Sequence, residues 1–275
     1  MSRYGIHNHA FVPNEEREEW VQKPSFDYYM VVDFEATCGK SVARHQMEII
    51  EFPMVLVDAR TFPTQVVPDS EFQVYIKPVM NPKLSPFCNE LTGITQAQVD
   101  QGVSFPEAFS MIQNRLIEWN LLFKSVCVVT CGDWDFKTMF PLQLLHTYAT
   151  MGRKIPYPSM FKKWCNISSV VKDIIGGSGG MKNMLKTLDI PLTGRHHSGI
   201  DDCHNTAKVV VDVLNKGIDL VANGQADMAF FRKRYTRIVP PSCLPTCKFD
   251  GKRHNPRHRT KVQYLKQINP ANPGT

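Results

Sequence analysis

The feature that most restricts how this chain can fold is a run of five aromatic and aliphatic residues, Tyr28-Tyr29-Met30-Val31-Val32, that passes directly into Asp33-Phe34-Glu35. Side chains two apart on a strand share a face, so a strand over 28–35 puts both carboxylates on one side of its end. Carboxylates held that close raise each other's pKa and resist ionising together. Burying them is costly unless a positive charge joins them, and a divalent cation resolves the conflict compactly. A single Asp-x-Glu is ordinarily a strand end meeting water, so the pattern gains meaning only from acids elsewhere in the chain.

Around this strand the sequence reads as one α/β domain over residues 25–230. Further strands are expected at 48–59 and 71–78, as a meander, and a short buried one at 125–132. Helical spacing occupies 95–100 and 105–119, the latter opened by a capping box of Ser104 and Glu107. A helix follows from Trp134 to Thr150 with a kink at Pro141, then one over 166–175, a Gly-rich break at 176–180 and a short helix from Met181. Ile200, Cys203, Ala207, Val210 and Leu214 form one helical stripe ending at Gly217. Meandering strands followed by alternating helices and strands predict a mixed β-sheet flanked by helices. With 43% hydrophobic residues in 275 the core can be filled, which excludes wholesale disorder, a collagen and a disulfide-stapled miniprotein.

The flanks differ from the body. Residues 1–24 read as a polar N-terminal arm without the apolar region of a signal peptide. Residues 231–275 hold eleven Lys or Arg and one acid, a net of +10, leaving 21 basic and 25 acidic residues in 1–230. This tail is too poor in apolar residues for a core of its own and reads as a disordered, phosphate-attracting extension. It also carries Cys243, Cys247, His254 and His258, ligand types that suit zinc, although the six residues between the pairs are fewer than a finger uses. A basic tail is therefore the favoured reading over a zinc site. No stretch approaches the ~20 apolar residues of a membrane span. Cys38, Cys88, Cys127, Cys131, Cys165 and Cys203 lie singly among apolar segments, as expected of reduced thiols, so cytoplasm or nucleus rather than secretion is expected.

Two further clusters give the first acids their context. Cys131-Gly132-Asp133-Trp134-Asp135 places two acids where a strand meets a helix. Asp133 suits the helix N-cap, which leaves Asp135 as the candidate ligand. Gly194-Arg195-His196-His197-Ser198-Gly199-Ile200-Asp201-Asp202 then sets histidines five residues before acids, on a loop that enters a helix. Histidine can accept a proton from water near neutral pH. A carboxylate set with one histidine favours hard Mg²⁺ or Mn²⁺ over zinc. Spacing alone does not separate His197 with Asp202 from His196 with Asp201.

VVDFEATC, EIIEFP, SPFCNELTGITQAQVD, CGDWD, KKWCNI and GRHHSGIDD together resemble the DEDDh family of 3′-to-5′ exonucleases. Within it they look like the Eri-like branch of exoribonucleases, including its prion-protein-interacting subgroup. The resemblance runs from about residue 25 to 222 and covers neither flank. It implies an RNase H-like fold in which Asp33, Glu35, Asp135 and Asp202 bind two Mg²⁺ ions, with Mn²⁺ as a substitute. It selects His197 as general base over His196, and Asp202 over Asp201. Phe87, Leu91 and Trp134 would line the pocket for a terminal base, with the backbone of Phe34 and Ala36 near the sugar; ordinary core packing is the competing reading for all three side chains. The implied activity is a Mg²⁺-dependent 3′-5′ exoribonuclease releasing nucleoside 5′-monophosphates from single-stranded RNA ends. A DNA 3′-5′ exonuclease or proofreading-type module is the alternative. A non-catalytic RNA-binding protein would be expected to lack one of the five residues, and all five are present.

Overall fold

A computed structural model of the chain describes residues 23–152, 155–176 and 180–227. The N-terminal arm as far as residue 22, most of the Gly-rich break and the basic tail with its Cys and His pairs lie outside the described residues.

The strand that opens the domain, β1 (Tyr28–Val32), is buried at all five positions. It pairs antiparallel with β3 (Ile49–Asp58) on one side and parallel with β6 (Val126–Thr130) on the other. Alternation then splits its side chains between two cores. Tyr28, Met30 and Val32 join Phe52, Phe109, Phe140 and Trp164 on one face. Tyr29 and Val31 join Val129, Val170, Val210 and Val213 on the other. The first face is covered by α3 (Phe105–Glu118) and α4 (Phe140–Met151), and the second by α5 (Ile167–Ile175), α6 (Met181–Thr187) and α7 (Gly199–Asn215). The expected mixed sheet between helices is thus observed, with β1 at its centre.

The remaining strands extend that sheet. Two-residue β2 (Glu35–Ala36), β4 (Gln65–Val66) and the longer β5 (Phe72–Tyr75) each pair antiparallel with β3. Beyond β6 lie parallel β7 (Lys163–Asn166) and antiparallel β8 (Gly224–Gln225). The meander through β1, β3 and β5 agrees with the sequence reading. Two expectations need correction. The strand expected over 28–35 stops at Val32, and Glu35 belongs to β2, whose register on β3 shifts between Glu35 and Ala36. The strand expected over 71–78 is confined to Phe72–Tyr75, followed by a single bridge from Ile76 to Val103; Pro78 has no N–H to continue a ladder.

Two short helices, α1 (Pro86–Thr92) and α2 (Gln96–Gln101), join β5 to α3. Ser85 caps α1 by accepting from Cys88 N, with Pro86 at its first position, where no backbone donor is required. The Ser104–Glu107 box opens α3 as expected, with Glu107 Oε2 accepting from Ser104 N at 2.9 Å and Ser104 Oγ at 2.7 Å. At the expected kink, a π-helical turn over Asp135–Met139 precedes α4, and Phe140 N reaches back to Asp135 O. Pro141 cannot donate to the turn before it, so the widened turn sits where the ladder is already interrupted.

Candidate active site

The C-terminal ends of parallel β1 and β6 lie side by side, the position at which open α/β sheets build sites. Asp33 follows β1, and Asp135 opens the π-helical turn shortly after β6. One Asp135 oxygen accepts from Phe34 N at 2.9 Å, which ties the two strand ends together. Glu35 comes from β2, and Asp202 from the first turn of α7. Gly199 allows that approach: a Cβ there would lie 2.9 Å from Asp33 O and 3.0 Å from both Glu51 Oε2 and Pro53 Cγ. Lacking one, α7 starts flush against the end of β1.

The four carboxylates share one electrostatic site. Burial, then the charges of Asp135, Glu35 and Asp202, hold Asp33 well above the usual carboxylate range. Burial, then Glu51, Asp202 and Asp135, push Glu35 up to about 9. Asp135, only 3% exposed, is also raised by burial, against the opposing hydrogen bond from Phe34 N. Unaided, such a group holds protons at neutral pH instead of charge. An all-oxygen donor set with unpaid negative charge fits a hard divalent cation.

Beside the acids, the loop before α7 is folded back on that helix. Asp202 Oδ2 accepts from His197 N at 2.9 Å and lies 3.2 Å from His196 Nδ1. The two imidazoles stack with centroids 3.9 Å apart, and His197 has φ 66°, a left-handed backbone unusual for histidine. Burial first, then the neighbouring His196, keep the His197 pKa below its ordinary value, so its neutral form dominates at pH 7. Ligand atoms of His196, His197 and Asp202 fall within 4.8 Å of one another. Asp201 faces the other way and accepts from Arg195 N at 2.9 Å.

The family model RNase_T, an exonuclease family, matches residues 30–210. The nuclease domain of 3'hExo, described as a DEDDh family member bound to rAMP, superposes with a TM-score of 0.67 at 32% identity, covering 74% of this chain and 100% of that one. The chain belongs to the DEDDh exonuclease family. ERI1 exoribonuclease 3 of Homo sapiens is 38% identical over 196 residues, 70% of this chain and 55% of that protein. The 3'-5' exoribonuclease 1 of Rattus norvegicus is 35% identical over 208 residues, 72% of this chain and 56% of that protein. The chain therefore spans about half the length of the curated relatives it matches. Membership in the DEDDh exonucleases implies divalent metal ions, in agreement with the donor set.

The residues expected around a base are distributed unevenly in this DEDDh domain. Phe87 and Leu91 are four apart on α1 and share one of its faces. Phe87 is 55% exposed and Trp134 39%, so for both rings the core-packing alternative fails, while Leu91 is half-buried. Phe34 is buried, its ring 4.5 Å from that of Phe52, and its N–H is committed to Asp135. Ala36 is buried, with its carbonyl 3.7 Å from Cys88 Sγ.

Asp133 corrects the sequence reading. Its carboxylate accepts from Trp164 Nε1 at 3.0 Å and Asn166 Nδ2 at 3.2 Å, bracing β6 against β7, where an N-cap was expected. Sequence reasoning also left Glu51 without a role. That residue is 1% exposed in mid-strand, opposite Glu35, and accepts from Gln73 Nε2 at 2.7 Å and Gly199 N at 3.3 Å. An acid inside the apolar run Ile49-Ile50-Glu51-Phe52 was the signal that marked it. Among the described residues six cysteines are free, and no helix is long and apolar enough to cross a membrane.

Proposed function

We propose that this chain is a 3′-to-5′ exoribonuclease that removes nucleoside 5′-monophosphates from single-stranded RNA 3′ ends, with its catalytic domain at 25–230. The observation that carries the proposal is the meeting of Asp33, Glu35, Asp135 and Asp202 at the strand ends of a DEDDh fold, with exposed aromatic rings available for a base. RNA is favoured as the polymer because the relatives are named exoribonucleases and one related domain is described as bound to rAMP.

The four acids would hold two Mg²⁺ ions, which when bound supply Lewis-acid charge to the scissile phosphate and acidify water. The chain's own contributions are then separable. Phe87 and Trp134 offer sequence-tolerant stacking to the terminal base, with Leu91 closing the pocket. His197, kept neutral at pH 7 by its surroundings, accepts the proton of the attacking water on its imidazole. Asp202 holds the histidine loop through the His197 amide, so the base and one acid move as a unit.

The test uses the full chain and a single-stranded RNA labelled on its 3′-terminal nucleotide. Labelled mononucleotide is expected with Mg²⁺, and none with EDTA or in Asp33→Ala. Activity that survives either treatment, or internal fragments in place of mononucleotides, would remove this mechanism. The same assay on DNA of identical sequence reports whether the sugar is read through its 2′-hydroxyl.

A further inference from the structure

One side chain joins the base-facing helix to the histidine loop. Arg195 lies two residues before His197, and its guanidinium donates to Glu90 O and, at 3.4 Å, to Leu91 O, more than a hundred residues away in sequence. These carbonyls belong to the last turn of α1, where the helix cannot satisfy them internally. The neighbouring carbonyls already have partners: Asn89 O accepts from Gly93 N at 2.9 Å, and Cys88 O from Thr92 Oγ1 at 2.9 Å. Arg195 thus completes the C-terminus of α1, where a cation also complements the helix dipole.

The fit is specific to this pair of segments. Gly93 caps α1 with φ 77°, and a Cβ there would overlap the guanidinium. The backbone of Arg195 is fixed independently, its N–H to Asp201 and its carbonyl accepting from Ser198 N at 3.2 Å. Gly194 has φ 70° and leaves no room for a Cβ beside the Asp201 carboxylate. At its other end, α1 is tied to the segment after β2, because Ser85 Oγ donates to Cys38 O at 2.6 Å. The helix carrying Phe87 and Leu91 is therefore clamped between the Glu35 segment and the His197 loop. A cleft of about 160 Å³ lined by Glu51, Tyr75, Gly93, Arg195, Ser198 and Asp201 runs beneath the clamp.

We propose that Arg195 is a positioning residue that couples occupation of the base pocket to the placement of His197, so that stacking of the terminal base accelerates the chemical step as well as binding. The inference rests on the exoribonuclease reading and deepens it. Its physical basis is that binding energy from a non-reacting part of a substrate raises turnover only if something carries it to the reacting centre. Arg195 is a direct hydrogen-bonded carrier between the two segments, with one guanidinium nitrogen, Nη2, donating to both carbonyls.

The experiment compares an ordinary single-stranded RNA with the same RNA ending in an abasic 3′-terminal ribose. In the parent protein, loss of the base is expected to lower kcat about tenfold and to raise KM. In Arg195→Met the kcat ratio between the two RNAs is expected to fall to within about twofold, while the KM ratio persists because Phe87 and Trp134 are untouched. Arg195→Lys, which keeps the charge and can reach one carbonyl, should restore part of the kcat ratio and stands in if Arg195→Met folds poorly. Each ratio is internal to one preparation and so does not depend on the folded fraction. A parent that degrades no RNA would overturn the exoribonuclease reading and this inference with it. A parent that degrades RNA with a kcat ratio unchanged by Arg195→Met and Arg195→Lys would overturn this inference alone.

Discussion

Two adjacent histidines face one acid, and their backbones distinguish them. His196 places Nδ1 near the Asp202 carboxylate, whereas His197 gives Asp202 its amide and leaves its ring for other partners. Orienting an acid and accepting a proton are different tasks, so the two residues should differ in what their loss costs. The left-handed φ of His197 complicates an alanine substitution, because Ala would be strained there. Asparagine tolerates that conformation and removes the base. His197→Asn is therefore expected to lower kcat by about 10²- to 10⁴-fold, the range for losing a general base. His196→Asn should cost about tenfold or less, through a less well oriented Asp202. Steady-state kinetics on the RNA substrate would decide the matter, and the reverse order would move the base to His196.

At the scale of elements, the site depends on how closely α7 approaches β1. Replacing Gly199 by Ala sets two effects against each other. Ala is the better helix former by roughly 1 kcal/mol in a helix interior, and by less at a first turn. Its Cβ, however, would press on the Asp33 carbonyl, a backbone atom that cannot swing aside. Overpacking of this kind costs about 1 to 3 kcal/mol, so it outweighs the propensity gain. Gly199→Ala is expected to lower the melting temperature modestly and to lower kcat far more, since the atoms displaced belong to the acid site; a variant with parental kcat would show that the approach is not critical. Nothing in the periodicity of the sequence announced this contact. Long elements with a continuous apolar stripe, such as β3, α3 and α7, were legible because pattern and burial coincide in them. The two-residue strands β2, β4 and β8, and the four-residue β7, were not, since pairing with β3, β6 or a neighbour defines them more than their own residues do. Asp33 and Glu35 stood out because carboxylates at the end of an apolar strand are anomalous, Asp135 and Asp202 lie where the chain enters a helix, and the family motif then chose among neighbours. Arg195 and Glu51 act through partners distant in sequence, and no spacing rule reaches that far.

For the molecule as a whole, the acid cluster makes metal binding and stability a single quantity. Glu35 titrates near 4.5 when solvated and at about 9 in the fold, so between those values the folded protein holds a proton that the unfolded chain does not. The stability this group contributes is full below pH 4.5 and is lost as pH rises through 9. One such group gives a slope of at most about 1.4 kcal/mol per pH unit. Asp33, raised in the same direction, adds to it. Magnesium requires the ionised carboxylates, so it competes with those protons and gains as they leave. The separation between melting temperatures in Mg²⁺ and in EDTA is therefore expected to widen steadily from pH 5 to pH 9. Groups remote from the acids, such as the surface ion pairs Arg60–Asp58 and Lys216–Asp212, titrate identically in both buffers and cancel from the difference. The depressed pKa of His197 acts in the opposite sense, as a loss of stability when pH falls below 6.5. In Glu35→Gln the widening should be reduced, because one of the competing protons has been removed along with one ligand. A separation that stays constant with pH in the parent would mean that the cation does not bind through this cluster.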